Sequence, residues 1–401
     1  MQTILLDMYQ TTALAVVMLY AGKILKLRIN FLEKFCIPAP VVGGLLFAVI
    51  SCALYVAGIF EFKFDETLRN FFMVAFFTSV GFQANVKILK NGGISLLIYL
   101  ICIIFLIIGQ NFLAIILSKF LNVSALVGLC TGSISMTGGH GTSGAFGPVL
   151  ENFGLHGATT LCTAAATFGL VGGSLMGGPL GRNLILRKNL LKTAVQADDS
   201  ALVEEKKKHH RFVTKYAAGF YQIIFAMGLG TIFSEVLTKS GMTFPIYIGA
   251  MIVAAIMRNY SEFFVKFKVH IGEIGDIGGI CLSIFLGIAM ITLKLWELAA
   301  LAIPLIILLL GQTIFMFLFA HFIIFNVMGR DYDAAVLSAG TCGFGMGATP
   351  NAMANMHVLT SKFAPSVKAY LLVPIVGSMF ADFINSLSIT FFINLICYGE
   401  Q

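Results

Sequence analysis

Charge is what this sequence has least of. Only 11% of its 401 residues are charged, whereas a soluble domain usually carries about 25%. Hydrophobic residues make up 58% of the chain, phenylalanine alone occurs 37 times, and the mean hydropathy is +0.92. These values exclude an ordinary soluble enzyme or binding domain. They predict a protein that crosses a lipid bilayer many times.

Disulfide and metal-ligand spacings are also lacking. The eight cysteines are scattered through or beside apolar segments without a CxxC pair, so we expect buried small side chains rather than disulfides or a transition-metal site. The net charge of +7 could indicate nucleic-acid binding. The basic residues lie in loops between apolar segments, however, so we expect them to orient the chain in a membrane and expect no nucleic-acid partner.

Ten apolar segments are candidates for transmembrane helices, each of which needs about 20 residues. They are 4–22, 40–59, 67–86, 94–117 and 157–180 in the first half, and 213–237, 243–258, 274–293, 298–326 and 369–397 in the second. A shorter, glycine-rich segment separates the fourth and fifth spans of each half, near 125–150 and near 333–358. We predict an all-α polytopic membrane protein with two transmembrane repeats, 1–181 and 213–401, joined by a hydrophilic cytoplasmic linker over 182–212.

The distribution of Lys and Arg predicts the topology. We place the N-terminus outside and let each glycine-rich segment enter and leave on one side of the membrane. Of the 26 basic residues, those left outside are then only Lys63, Arg69, Lys119, Lys239 and Lys294. Cytoplasmic loops collect basic residues, so a strong bias indicates the correct topology. We therefore expect two inverted-topology repeats of five transmembrane helices, each with a re-entrant hairpin, and both termini periplasmic.

Both glycine-rich segments contain polar residues, and both contain residues that interrupt a helix. The first contains Ser135–Thr142 and the second Gly343–Asn351. A broken backbone at membrane depth is tolerated only inside protein or beside a watery cavity, and paired interruptions in two halves are typical of transporter binding sites. Helix N-termini exposed there attract carboxylates, and unwound carbonyl groups attract Na⁺. The alternative is helix–helix packing, where small and hydroxyl residues also collect.

From these segments we predict two sets of ligands. The predicted substrate-binding residues are Ser135, Thr137, Gly138, Gly139, His140, Gly141, Thr142, Gly347, Thr349, Pro350 and Asn351. The predicted sodium-binding residues are Ser133, Ser135, Asn355, Asp382 and Asn385. Because the apolar parts of the predicted spans contain no Lys or Arg, helix N-termini are expected to hold the anionic group of a substrate.

Four polar residues in or near the membrane leave alternatives open. Asp382 is the only acid well inside a predicted span, where a carboxylate is costly and is a functional candidate by default. It could bind Na⁺, meet an ammonium group, or hydrogen-bond a neighbouring helix. His140 could brace its hairpin, which we favour, or carry a proton or donate to a substrate carboxylate. Gln110 and Gln312 fit interhelical hydrogen bonds and site contacts equally well.

With these motifs the chain resembles the bacterial sodium/glutamate symporter family. The resemblance lies in TGGHGT (137–142), AATFGLV (165–171), LKLWELA (293–299), GRDYDAAVL (329–337) and CGFGMGATP (342–350). It implies Na⁺-coupled glutamate uptake, with Na⁺ as the coupling ion and no other cofactor. It also implies a homodimer in the bacterial inner membrane, in which a core moves like an elevator against a fixed scaffold.

We therefore expect a secondary active transporter that takes up glutamate with Na⁺ by alternating access. An enzyme is not expected, because no nucleophile–base pair or metal constellation is present. An alternative is a Na⁺-coupled carrier of another small carboxylate, such as citrate or a 2-hydroxy acid, which should need a fixed Arg. A channel fits less well, because two unlike hairpins in antiparallel halves suit a gated carrier better than a pore ringed by identical filters.

Overall fold

A computed structural model of the chain describes residues 2–29, 32, 37–87, 93–193, 213–239, 246–263, 268–296 and 302–399. Most of these residues are helical. Of the predicted cytoplasmic linker, residues 194–212 lie outside the described residues.

The helices of the first half match the predicted spans closely. They are α1 (Met8–Arg28), α2 (Ala39–Val56), α3 (Thr67–Gln83), α4 (Gly93–Phe120), α5 (Ala125–Thr131), α6 (Gly139–Asn152) and α7 (Ala158–Arg187), followed by a 3₁₀ turn (Leu190–Thr193). The helix α1 begins with a capping box, because the Asp7 side chain accepts from the Tyr9 and Gln10 backbone N–H groups while the Gln10 side chain accepts from the Asp7 N–H.

The second half has a similar order of helices. It contains α8 (Val213–Thr238), α9 (Ile246–Phe263), α10 (Ile271–Ile291), α11 (Ala302–Leu318), α12 (Tyr332–Gly345), α13 (Thr349–Thr360), α14 (Val367–Ile375) and α15 (Asp382–Gly399), with α14 and α15 in the place of α7. A π-helical turn (Phe319–Ile324) extends α11 into a last short helix, Phe325–Val327, and a second π-helical turn (Val376–Ala381) joins α14 to α15.

Two short strands depart from the all-α prediction. Residues Gln2–Leu6 form β1 and residues Phe60–Phe64 form β2, and the two pair in parallel with Gln2 opposite Phe60. The first predicted span, 4–22, therefore begins with a strand and not a helix. In the sequence, the apolar residues at 4–6 look like the start of a span. The strand that pairs with them lies far away in the chain, so nothing next to them indicates a strand. The alternation in Phe-Glu-Phe-Lys-Phe at 60–64 was the missed strand signal.

Seven helices within the described residues are long and apolar enough to cross a membrane. They are Met8–Arg28, Ala39–Val56, Gly93–Phe120, Ala158–Arg187, Val213–Val236, Ile271–Ile291 and Ile303–Val327. The other three predicted spans are helical too, as α3, α9 and α14–α15, but these helices are shorter, more polar or interrupted. The chain is thus confirmed as a mainly helical protein with several membrane-spanning helices, while ten full crossings remain a prediction.

The helices pack as two groups. The first group contains α1–α3 and α8–α10, and the second contains α4–α7 and α11–α15. Packing is extensive within each group, for example between α3 and α10 or between α7 and α12, whereas few elements touch across the seam. Each half contributes its first three helices to the first group and its remaining helices to the second group.

Two helix hairpins form the centre of the second group. Hairpin 1 comprises α5, an irregular turn over 132–138, and α6. Its two sides meet where the Ser135 and Ser143 hydroxyl oxygens lie 3.1 Å apart and both hydroxyls bond to the Cys162 carbonyl of α7. Hairpin 2 comprises α12, a turn over 346–348, and α13. Here the Asn355 side chain reaches back to the Ala339 carbonyl, 3.3 Å away.

Hairpin 2 packs against a row of glycines on α7. Gly169, Gly173, Gly177 and Gly181 recur every fourth residue, and a Cβ atom on any of them would meet hairpin 2 within 3 Å. Small residues at this spacing let two helix backbones approach closely inside a membrane protein. The glycine content of α7 therefore fixes hairpin 2 next to hairpin 1.

Candidate functional site

The tips of the two hairpins touch. Gly139, the first residue of α6, has φ +58°, and a Cβ atom there would lie 2.6 Å from the Gly347 carbonyl oxygen. A left-handed conformation is costly for any residue with a side chain, and this contact leaves no room for one. Glycine at 139 is therefore what allows tip 1 to turn directly against tip 2.

A cavity of about 260 Å³ opens between the tips and the first group of helices. The second group contributes Thr137, Gly138, Gly139, His140, Gly141, Thr142, Leu170, Phe344, Gly347, Ala348, Thr349, Pro350, Gly377 and Asp382, and the remaining wall consists of Pro38, Phe76, Phe77, Val80, Gln83, Leu282 and Leu286. We call it the central cavity. Its size suits a small solute.

Two helices begin at the central cavity. The N-terminus of α6 lies at Gly139 and that of α13 at Thr349. The first N–H groups of a helix have no partner within it and carry about half a positive charge, which makes such an end a site for an anion. Among the described residues, no Lys or Arg lines the cavity. The two helix N-termini thus lie at this cavity, and their binding of an anionic group remains a prediction.

Gln110 connects the two tips. Its side-chain oxygen accepts from the Thr137 hydroxyl at 2.7 Å, and its side-chain N–H group donates to the Gly345 carbonyl at 2.6 Å. Gln312 in turn donates to the Gln110 carbonyl at 2.8 Å. The two glutamines therefore support the site from behind through hydrogen bonds between helices, and neither lines the cavity.

His140 lines the cavity and is also braced from α7. Its Nε2 lies 3.0 Å from the Thr167 hydroxyl oxygen, and that hydroxyl donates to the Thr163 carbonyl. The tautomer with the proton on Nε2 can donate to that hydroxyl while the hydroxyl donates to Thr163. This contact attaches the ring to α7, and both the bracing role and the substrate-contact role of His140 remain predictions.

Asp382 lies at the cavity, directly after the π-helical turn that joins α14 to α15. One turn further on, Asn385 donates to the Ser133 carbonyl at 3.0 Å. The Asn385 side-chain oxygen and the Ser133 hydroxyl are both fully buried, and neither has a hydrogen-bond partner in the part of the chain that the structure describes. Two unpartnered oxygens thus lie behind tip 1, next to the helix that carries the acid.

Three predicted ligands lie behind the cavity wall. Ser135 bonds to the Cys130 and Cys162 carbonyls. Asn351 donates to the Leu170 carbonyl at 2.9 Å, and Asn355 donates to the Gly173 carbonyl at 2.9 Å. These side chains attach the hairpins to α7, so their roles as direct ligands remain predictions. The other predicted substrate-binding residues all line the cavity.

The aromatic and aliphatic wall was not predicted from the sequence. Phe76, Phe77 and Val80 come from α3, and Leu282 and Leu286 from α10. In a chain with 37 phenylalanines, no local pattern distinguishes a phenylalanine at a binding site from one in the core or against lipid. Only the packing of the first group against the hairpins identifies these residues.

Comparison with known proteins identifies the family. The profile of the sodium/glutamate symporter family matches residues 4–365. The chain belongs to this family. It is 38% identical over 393 residues to the sodium/glutamate symporter of Escherichia coli K12, covering 97% of this chain and 98% of that one. It is 41% identical over 384 residues to that of Haemophilus influenzae, covering 94% and 95%.

A solved structure gives a weaker match. A sodium proton antiporter from Methanocaldococcus jannaschii covers 97% of this chain and is itself covered to 98%, with 17% identity and a TM-score of 0.45. This superposition is too loose to add to the assignment. Family membership makes the chain a multi-pass membrane transporter and not an enzyme.

Proposed function

We propose that this chain takes up glutamate with Na⁺ by alternating access, and that the central cavity is where glutamate binds. The observation that carries the proposal is the meeting of both hairpin tips and Asp382 at one cavity. Two helix N-termini there can hold carboxylates, which accounts for an acidic solute without a permanently charged residue. The hydroxyls of Thr142 and Thr349 add short-range hydrogen bonds that fix its orientation.

The Na⁺ site that we propose lies behind tip 1. Na⁺ is a hard cation that prefers oxygen ligands, and unwound backbone at a broken helix supplies them. The unpartnered oxygens of Ser133 and Asn385 fit this requirement, with Asp382 as the nearby negative charge. Na⁺ bound there would stabilise tip 1 in the conformation that closes the glutamate site. Na⁺ and glutamate would then each raise the affinity of the protein for the other by the same factor.

The two halves are proposed to be inverted repeats with re-entrant hairpins. The similar order of helices, the split of each half between the same two groups, and the contact between the tips support this arrangement. The second group would move as the elevator-like core, carrying both hairpins against α1–α3 and α8–α10. The sparse contacts across the seam agree with such motion. A homodimer in a bacterial inner membrane, with both termini periplasmic, belongs to the same proposal.

The decisive experiment is uptake of labelled glutamate into proteoliposomes. We expect accumulation with an inward Na⁺ gradient and none when choline replaces Na⁺. Competition with aspartate, glutamine and citrate separates the proposal from a carrier of another carboxylate. Displacement by citrate but not by aspartate would contradict glutamate as the substrate. Accumulation that ignores the Na⁺ gradient would contradict the coupling ion.

Cysteines at the bases of the hairpins test the topology. Both tips line one cavity, so a label there reports which side is open and not from which side each hairpin enters. In a cysteine-free background, Glu151→Cys at the end of α6 and Lys362→Cys after α13 should react with an impermeant thiol reagent from opposite sides. Reaction of both from the same side would contradict the inverted arrangement.

A further inference from the structure

A second cavity, of about 180 Å³, lies on the seam at the base of hairpin 1. Its charged or polar lining includes Glu66, Arg69, Glu151, His156, Thr159 and Lys294. Glu151 is ten residues beyond Gly141 on α6, which places this base pocket about 15 Å from the central cavity along that helix. Arg69 and Glu66 belong to the first group of helices, and Glu151 and Thr159 belong to the second.

Two residues that line the base pocket each carry a buried polar atom without a hydrogen-bond partner among the described residues. Arg69 is 5% exposed, and although its Nη2 pairs with Glu66 at 2.6 Å, its Nε has no acceptor. Thr159 is 8% exposed, and its hydroxyl has no partner either. A buried donor without an acceptor is costly, so such a group indicates a missing ligand. Since an arginine N–H can only donate, that ligand must present an acceptor such as a carboxylate oxygen.

The N-terminus of α7 also favours a ligand with a carboxylate group. The helix begins at Ala158 beside Thr159, and its cap residue Gly157 contributes no side-chain hydrogen bond. Glu151 satisfies the Thr159 N–H at 3.0 Å through one carboxylate oxygen. The N-terminus of this 30-residue helix therefore lies at the same pocket as Arg69.

The charges in the base pocket are of both signs. Arg69 and Lys294 are basic, whereas Glu66 and Glu151 are acidic. A metal cation would be repelled by the two bases, and a simple anion by the two acids. A solute with separate carboxylate and ammonium groups matches both pairs at once.

We propose that the base pocket is a second amino-acid site, holding a carboxylate at Arg69 and Thr159 and the ammonium group at Glu151. The proposal rests on the proposed function in taking glutamate as the amino acid and, for its test, in taking binding at the central cavity to require Na⁺. A solute bound here contacts both groups of helices, on the side at which hairpin 1 begins and ends.

The test is equilibrium binding of labelled glutamate to the purified full-length protein in choline buffer without Na⁺. Removing Na⁺ disables the central site, so the remaining saturable binding reports the base pocket. Arg69→Gln and Thr159→Val should each raise the Kd roughly tenfold, since each removes a hydrogen bond to a charged group.

Thr163→Val is the matched control. Thr163 lies one turn further along α7, and its hydroxyl donates to the Thr159 carbonyl instead of facing the base pocket. If Arg69→Gln fails to fold, Thr159→Val decides the question alone, because it exchanges a hydroxyl for a methyl group of similar size. A Kd raised equally by Thr163→Val and Thr159→Val would overturn the proposal.

Three further results would overturn it. They are an absence of saturable Na⁺-free binding up to about 10 mM glutamate, binding that Thr159→Val leaves unchanged, and displacement by acetate or chloride as effective as by glutamate. The two proposals fail separately. Na⁺-driven uptake without Na⁺-free binding overturns the base pocket alone. Na⁺-free binding that Thr159→Val weakens, without Na⁺-driven uptake, overturns the proposed function and leaves the base pocket.

Discussion

The two hairpins occupy equivalent places in their halves but are held in different ways. Hairpin 2 is fixed to α7 by amide side chains, since Asn351 and Asn355 each donate to a backbone carbonyl of that helix. Hairpin 1 is held by hydroxyls, with Ser135 and Ser143 sharing the Cys162 carbonyl. Its tip is also longer, with an irregular turn over 132–138 against three residues, 346–348, in hairpin 2.

This difference indicates that the two hairpins have different roles. Tip 2 is short and starts α13 with Thr349-Pro350, where the missing proline N–H costs nothing. Tip 1 carries the unpartnered Ser133 hydroxyl and is the tip next to Asn385. We therefore expect hairpin 2 to be the more rigid of the two, and hairpin 1 to be the one whose conformation responds to a cation.

The largest effect is expected from Gly139→Ala in tip 1. Alanine would have to adopt φ +58°, at a cost of roughly 1–2 kcal/mol, and its Cβ would also clash with the Gly347 carbonyl. We expect glutamate uptake to fall to background with the protein still in the membrane, measured by uptake and immunoblot. Gly347→Ala should be milder, because Gly347 does not have a positive φ and a Cβ atom there would meet backbone atoms only at 3.0 Å and beyond.

Gly228→Ala is the control for this pair, because nothing lies within 4 Å of a Cβ atom at that position. It should retain wild-type uptake. Equal losses for Gly139→Ala and Gly347→Ala would mean that both tips are equally constrained, and the proposed asymmetry would be wrong.

Asp382→Asn should have the next largest effect. It removes the negative charge at the central cavity, so Na⁺ or the substrate ammonium loses its counter-charge, and we expect uptake to fall about 10- to 100-fold. The Na⁺ dependence of the remaining uptake is the informative measurement. Ser386→Ala, which removes only a hydroxyl bonded to the Asp382 carbonyl, is the control in the same helix. Wild-type Na⁺ dependence in Asp382→Asn would separate Asp382 from the coupling site.

Much of this architecture could be predicted from the sequence, because the bilayer imposes a simple rule. Apolar segments of about 20 residues must be helices, and the ten predicted spans all contain helices. The glycine-rich breaks were found for the same reason. Strand β1 was missed, because Thr3–Leu6 lacks any polar alternation and its partner lies near residue 60.

The cavity was predicted less completely than the fold. Polar residues such as Asp382 and His140 are conspicuous in an apolar chain, so they could be found without coordinates. Whether a polar residue faces the cavity or braces the hairpin depends on helix rotation, which the sequence does not determine. Asn351 and Asn355 illustrate this, since both look like ligands in the sequence but donate to carbonyls of α7 in the structure.

Asn385 and Asn355 provide a sharper test, because both were predicted to bind Na⁺. The Asn385 oxygen is buried without a partner, whereas Asn355 donates to two carbonyls of its surroundings. Asn385→Ala should raise the Na⁺ concentration for half-maximal uptake about tenfold, by removing one oxygen ligand. Asn355→Ala should lower thermal stability and leave the Na⁺ requirement near wild type. The reverse result would place the cation at hairpin 2.

The smallest effect is expected from Thr142→Val and Thr349→Val, one at the start of each second hairpin helix. Both hydroxyls belong to residues that line the central cavity, and losing one neutral hydrogen bond costs about 0.5–1.5 kcal/mol, or roughly two- to twelvefold in KM for glutamate. Thr313→Val is the control, because that hydroxyl bonds to the Leu309 carbonyl of its own helix. If hairpin 1 responds to Na⁺ and hairpin 2 does not, only the Thr142→Val defect should shrink as the Na⁺ concentration rises. Two defects with the same Na⁺ dependence would show that the cation acts on both tips alike.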